Sequence, residues 1–203
     1  MVKCTSALID VEREWLPDRP FHALYLRPVS VALDANLDIG EVEKMMTYIC
    51  LSPVGPYFPE GFKPVKLMCD TSIVRSWPKG YGHLKLSTNY APTMRPMRKG
   101  REAHGADTSL WLLHDYVLEM GSLNAFVYWK NEDDINELIT PPLDGTILPG
   151  ITRDSILNIA RDLHEFKVTE KAFKVQEMVK AVNEGRMYEM FGSGTAALVA
   201  SVH

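Results

Sequence analysis

Short runs rich in β-branched and aromatic residues recur along nearly the whole chain, and they constrain its fold more than any other feature. They fall at residues 24–33, 46–54, 65–69, 83–86, 109–113, 116–120, 124–129, 137–140, 166–173, 186–191 and 196–202. Turn-forming pieces such as Pro53-Val54-Gly55-Pro56 and Pro59-Glu60-Gly61 separate several of them, as expected between strands. Two segments carry helical periodicity instead. Residues 152–164 align Ile156, Leu157, Ala160 and Leu163, and residues 175–184 align Val175, Met178, Val179 and Val182 ahead of Gly185 as a stop. A poorer helix is expected over 89–104, because Pro96 would fall in its interior at a cost of about 3 kcal/mol and Gly100 weakens it further. Its Arg95, Arg98, Lys99 and Arg101 read as a solvated face. Many strands with few helices predict an α+β fold, with a mixed barrel-like sheet and flanking helices.

At 203 residues a single large domain could bury about 70% of its unfolded surface. A net charge of −4 gives no reason to expect nucleic acid or an anionic membrane surface as a partner. No apolar run reaches the ~20 residues of a membrane span. The cysteines Cys4, Cys50 and Cys69 contain no CxxC pair, which argues against a disulfide framework and a zinc site and predicts no metal. The N-terminus, leading into Asp10-Val11-Glu12-Arg13-Glu14, is neither a signal peptide nor an Arg-rich transit peptide. A cytoplasmic location is expected, with the mitochondrion as the alternative if a transit peptide precedes this chain.

Four segments suggest chemistry. In Gly80-Tyr81-Gly82-His83-Leu84-Lys85-Leu86 a single lysine ends a strand-like run. Burial would depress its pKa and yield an amine nucleophile of the kind carbonyl cofactors require; a surface lysine on a strand edge is the plain alternative, and this segment alone favours it. Leu138–Arg153 opens a proline-rich turn into a helix whose first amides, Ile151 and Thr152, would favour an anion, although Thr152 could merely cap that helix. Phe191-Gly192-Ser193-Gly194-Thr195-Ala196 could cradle a phosphate or carboxylate, or be a plain tight turn. Glu119 sits in the apolar run Val117-Leu118-Glu119-Met120. If buried it needs a cationic or donor partner; strand alternation alone would turn it to solvent.

Taken together, the segments resemble the branched-chain amino acid aminotransferases, pyridoxal-phosphate enzymes of fold type IV. The matching strings are Leu51-Ser52-Pro53-Val54-Gly55-Pro56-Tyr57-Phe58, Lys85 with Asn89-Tyr90-Ala91, and Glu119-Met120-Gly121-Ser122-Leu123-Asn124. Thr140-Pro141-Pro142-Leu143-Asp144-Gly145-Thr146-Ile147-Leu148-Pro149-Gly150 and Glu189-Met190-Phe191-Gly192-Ser193-Gly194-Thr195-Ala196 complete them, in the family's order.

The resemblance implies the large domain of that fold over residues 23–203, incomplete at its C-terminus, with 1–22 as the remnant of a smaller N-terminal domain and its linker. It implies pyridoxal 5′-phosphate as cofactor, held by Lys85 as an imine, by Tyr90 at the phenolic oxygen and by Glu119 at the pyridine nitrogen. Ser122 stands where the family has a small hydroxyl residue. The phosphate would rest on the Ile151 and Thr152 amides and Thr195, and the Thr195-Ala196 turn would present amides to the substrate carboxylate. Lys85 would be the catalytic residue of a homodimer that moves the amino group of leucine, isoleucine or valine to 2-oxoglutarate, giving branched 2-oxo acids.

Departures from the pattern temper that expectation. Tyr81 replaces a small residue, Ser87-Thr88 replace a glycine pair, and Ala197 and Ala200 stand where mammalian-type members carry a redox-sensitive CxxC. The chain as given is expected to transaminate leucine weakly or not at all. Alternatives are D-amino acid transamination or aminodeoxychorismate lyase chemistry on the same fold, and a catalytically impaired, dimerising remnant. The Pro-Pro-Leu-Asp-Gly and Phe-Gly-Ser-Gly-Thr-Ala strings match the branched-chain group more closely.

Overall fold

The computed structural model describes residues 1–35, 37–56, 63–195 and 198–203, which group into two compact units, Met1–Gly61 and Phe62–His203. The first unit holds helix α1 (Val2–Val11), a 3-10 turn at Arg13–Trp15, and strands β1 (Ala23–Ala32) and β2 (Met45–Val54). β1 and β2 pair antiparallel in unbroken register, from Ala23↔Val54 to Ala32↔Met45. The sequence reading contains no helix over 2–11, and the reason is physical: no α1 residue is buried, so no core-facing stripe marks it.

The second unit is built on an eight-stranded sheet. Its strands are β3 (Leu67–Asp70), β4 (Thr108–Leu113), β5 (Tyr116–Met120), β6 (Leu123–Lys130), β7 (Asn136–Thr140), β8 (Lys167–Glu170), β9 (Met187–Gly194) and β10 (Leu198–Ser201). The main path runs β10-β9-β6-β5-β4-β3, with β7 beside β6 and β8 beside β7. The sheet is mixed as expected, since β3–β4 and β7–β8 pair parallel and the remaining pairs antiparallel. A parallel bridge, Val65↔Val202, joins the residues just ahead of β3 and just after β10. The two ends of the path therefore meet, although no continuous ladder closes a barrel among the described residues.

Helix α3 (Ile151–Leu163) covers part of this sheet. Its Leu157 and Ala160 are buried against Phe126 and Leu138, and Phe191 stacks on Phe126 with ring centroids 5.0 Å apart. Truncating Leu157 leaves a cavity in a site that cannot collapse freely. We expect Leu157→Ala to lose about 2–5 kcal/mol, read as a lower urea midpoint. Helix α4 (Val175–Asn183) begins with Glu177 accepting the Lys174 amide at 2.6 Å, and the stop at Gly185 has φ +67.

Two expectations change. Helix α2 runs over Met94–His104 after a separate 3-10 turn at Ala91–Thr93. Pro96 therefore lies in the first helical turn, where its missing N–H has no intrahelical acceptor to lose, and the interior penalty disappears. Gly100 is buried against Met68, and Gly105 ends the helix in the left-handed region. Residues 83–86 form no strand at all. The Asn89 side chain donates to the carbonyls of Tyr81 (2.7 Å) and Leu84 (2.9 Å), and those bonds hold the segment as successive turns.

Candidate functional site

The residues singled out from the sequence come from several segments: Lys85 and Tyr90 from the turns ahead of α2, Glu119 from β5, Ser122 from the β5–β6 turn, Ile151 and Thr152 from the start of α3, and Thr195 from just after β9. Lys85 sits on the loop clamped by Asn89. It is exposed rather than buried, so the burial expected of it is absent. Its Nζ donates to Thr195 Oγ1 at 3.3 Å and stands 5.5 Å from the centroid of the Tyr90 ring.

Thr195 follows the last residue of β9. One residue earlier, the Gly194 carbonyl accepts the Thr152 hydroxyl at 2.7 Å. Thr152 does not cap its own helix, which carries no side-chain cap. That hydroxyl instead ties the start of α3 to the end of β9. The Ile151 and Thr152 amides, in the first turn where the helix offers no acceptor, are thereby brought beside Thr195. Gly150, just ahead of them, packs closely on Asn124, since a Cβ there would run into Asn124 Oδ1.

Glu119 is buried, with only 2% of its surface exposed. Both faces of β5 are covered, as the run Val117, Leu118, Glu119, Met120 is buried throughout, and this overrides the alternation that would have turned Glu119 outward. Its Oε2 pairs with Arg75 Nε at 2.9 Å. Its Oε1 accepts the Leu148 amide at 2.8 Å and Asn124 Nδ2 at 3.3 Å. Burial pushes the Glu119 carboxyl up to about 7, against the pull of Arg75, the Leu148 amide and Lys85.

Arg75 has no place in the sequence reading, and Asn124 and Thr146 enter it only within matching strings, without a role. Arg75 is buried, its Nη1 reaches the Thr146 carbonyl at 3.3 Å, and its guanidinium carbon lies 5.8 Å from the Tyr90 ring centroid. Ser76 Oγ donates to the same Thr146 carbonyl at 2.6 Å. A signal for Arg75 was available, since a carboxylate in an apolar strand calls for a buried cation and Arg75 lies in the run Ile73-Val74-Arg75-Ser76-Trp77. Cross-strand register aligns Glu119, Asn124 and Ser193 in one row, and the buried Ser193 hydroxyl has no partner among the described residues. Ser122 is exposed in the β5–β6 turn beside Gly121, which has φ +60. Among the described residues it makes no hydrogen bond to the rest of the site. Ala196 lies outside the described residues.

The folded chain holds the Glu119 proton to about pH 7, whereas the unfolded chain releases it near the ordinary value of 4.5. Between these values the folded state binds the extra proton, so Glu119 makes stability fall as pH rises from about 4.5 to about 7. Glu119→Gln lacks this dependence, and carboxylates elsewhere cancel in the comparison. The urea midpoint of the wild type should decline relative to that of Glu119→Gln across the interval and level off above it. A pH-independent difference would contradict the assignment.

Comparisons with known proteins show the family. The family model described as amino-transferase class IV matches residues 24–203. The chain is 47% identical, over its whole length and 53% of the relative, to a branched-chain-amino-acid aminotransferase of Dictyostelium discoideum. It thus spans about half the length of the curated relatives it matches, which include proteins named mitochondrial and cytosolic. Among solved structures, a branched-chain aminotransferase from Thermoproteus uzoniensis with norvaline superposes with a TM-score of 0.75 at 23% identity, over 98% of this chain and 62% of that one. An aminotransferase from Brucella abortus bound to PLP gives 0.71 at 22%, over 97% and 66%. At those identities the likeness is one of fold, whereas the family match extends over most of the sequence: the chain belongs to the class IV aminotransferases.

Proposed function

We propose that this chain carries the cofactor site of a transaminase that moves the amino group of leucine, isoleucine or valine to 2-oxoglutarate through pyridoxal 5′-phosphate. One observation carries the reading: the Lys85 amine lies 3.3 Å from Thr195 Oγ1, on a turn that Thr152 fastens to the start of α3. A primary amine thereby stands next to an array of anion donors, which suits an aldehyde bearing a phosphate. The family match over 24–203 supports residues 23–203 as the cofactor-binding domain.

The donor set fits the cofactor. The Ile151 and Thr152 amides and the Thr195 hydroxyl would receive the phosphate, aided by the α3 dipole. Glu119, ionised, would receive a protonated ring nitrogen, and the Tyr90 hydroxyl would donate to the phenolic oxygen. When bound, the cofactor supplies an electron-poor ring that takes up negative charge from Cα of the amino acid. The Lys85 amine would hold the cofactor covalently at rest and, once displaced by the amino acid's own amine, would accept the proton that leaves Cα. Ser122 and Ala196 belong to the same proposal, at the cofactor and at the substrate carboxylate. So do the homodimer, and a cytoplasmic location with the mitochondrion as the alternative. No helix among the described residues is long and apolar enough to cross a membrane.

The test is 2-oxo acid release from leucine and from D-alanine, measured separately on protein loaded with pyridoxal phosphate. Release from leucine alone, at a weak rate, is the expected result. Release from D-alanine alone would move the assignment to D-amino acid chemistry. No release from either, by folded protein, would fit the impaired, dimerising remnant.

A further inference from the structure

We propose that Arg75 is a positioning residue of this site, holding Glu119 ionised and oriented so that one acceptor position on Oε2 faces the cofactor's ring nitrogen. The proposal rests on the pyridoxal-phosphate reading above. An ionised carboxylate offers about four lone-pair positions. Leu148 N–H and Asn124 Nδ2 take those on Oε1, and Arg75 Nε takes one on Oε2. One position on Oε2 is left for a further N–H donor. A proton on Oε2 would abolish it and would also turn the oxygen from acceptor to donor.

Arg75 is built to prevent that. Its side chain and that of Glu119 are 1% and 2% exposed, so water screens the pair little. Its reach is fixed at several points: Nη1 lies 3.3 Å from the Thr146 carbonyl and 3.5 Å from that of Gly82, and the guanidinium packs over Tyr90. Gly82 is itself constrained, since a Cβ there would collide with the Thr146 carbonyl and with Ser76. Nη2 is buried without a partner among the described residues. A wholly structural arginine would be expected to satisfy all its donors, because leaving one buried and unpaired is costly. Among the described residues, the charged groups acting on Glu119 are Arg75 and Lys85, with Tyr90 beyond the Arg75 guanidinium. On binding an aldehyde covalently, Lys85 would exchange its ammonium for an imine nitrogen, which can give up its proton. Arg75 cannot lose its own, and it then remains the one fixed cation beside the carboxylate.

The decisive experiment follows the pair by NMR in the protein without cofactor. The Glu119 carboxyl carbon is identified by its loss in Glu119→Gln, and the Arg75 Nε–H by its loss in Arg75→Lys. In the wild type the two resonances should titrate with one midpoint near 7. In Arg75→Met the Glu119 midpoint should rise by about 1–3 units. An Arg75 Nε–H that stays still while Glu119 titrates overturns the proposal, as does an unmoved midpoint in Arg75→Met. If Arg75→Met fails to fold, the wild-type titration decides alone. With ring-nitrogen-labelled pyridoxal phosphate, the wild type should show a protonated ring nitrogen at pH 8 and Arg75→Met a neutral one. Ring protonation unchanged by the substitution overturns Arg75's role while leaving the cofactor site intact. Failure of the wild type to bind the cofactor at all overturns the reading of the site, and Arg75's role with it.

Discussion

After incubation with pyridoxal phosphate and borohydride reduction, the wild-type chain will carry a phosphopyridoxyl group on the peptide containing Lys85, and Lys85→Ala will carry none there. The expectation is close to all-or-none because the site offers one amine at the required place. Lys85 is exposed, near Thr195, and held on a loop whose shape Asn89 dictates. Other lysines of the second unit, such as Lys66, Lys130, Lys167 and Lys180, are engaged with the His104 carbonyl, Asp134, Glu137 and Glu132 respectively. Amino transfer should fall with the covalent link. Losing a positioned proton acceptor alone costs about 10²–10⁴-fold in rate, and losing the covalent attachment adds to it. Labelling of Lys85→Ala at wild-type level on a different peptide would place the reactive amine elsewhere.

Glu119→Ala will lower stability by about 3–5 kcal/mol, because it leaves the Arg75 guanidinium buried without its counter-charge. The carboxyl pushed up to about 7 shows that ionising Glu119 is itself costly in this setting. There is no conflict between the two statements. A buried ion pair contributes little compared with a well-packed apolar pair, yet removing one member strands the other. The double variant Arg75→Met/Glu119→Ala should therefore recover part of what Glu119→Ala loses, and guanidinium denaturation of the three variants measures the difference. A double variant no more stable than Glu119→Ala would mean that the pair is not the source of the cost.

Strand positions were largely legible because the central strands β4, β5 and β6 carry dense apolar sequence such as Thr108–Leu113 and Leu123–Lys130. Helices α3 and α4 were legible through their apolar periodicity, although only part of each stripe is buried: Leu157 and Ala160 on α3 with Leu163 exposed, and Met178 on α4, where Ala181 is buried while Val179 and Val182 are exposed. The loop of Lys85 was not. Its apolar residues imitate a strand, but tertiary hydrogen bonds from Asn89 decide its conformation, and no local pattern encodes them. The same holds for Glu119: two-residue alternation is informative only for a strand with one wet face, and β5 has none. Arg75 and Asn124 lie 44 and 5 residues from Glu119, and only the fold brings them to its two oxygens. What the motifs did convey was the set of segments that converge, since Lys85 donates to Thr195 and Thr152 donates to the carbonyl of the preceding Gly194.

The central claim is that these segments form one pyridoxal-phosphate site, and an absorbance titration of the purified chain with the cofactor, run beside Lys85→Ala, tests it most directly. A visible band that saturates at one cofactor per chain, is absent from Lys85→Ala and bleaches on addition of leucine is the predicted result. A band that fails to saturate, or one that is unchanged in Lys85→Ala, would contradict the account.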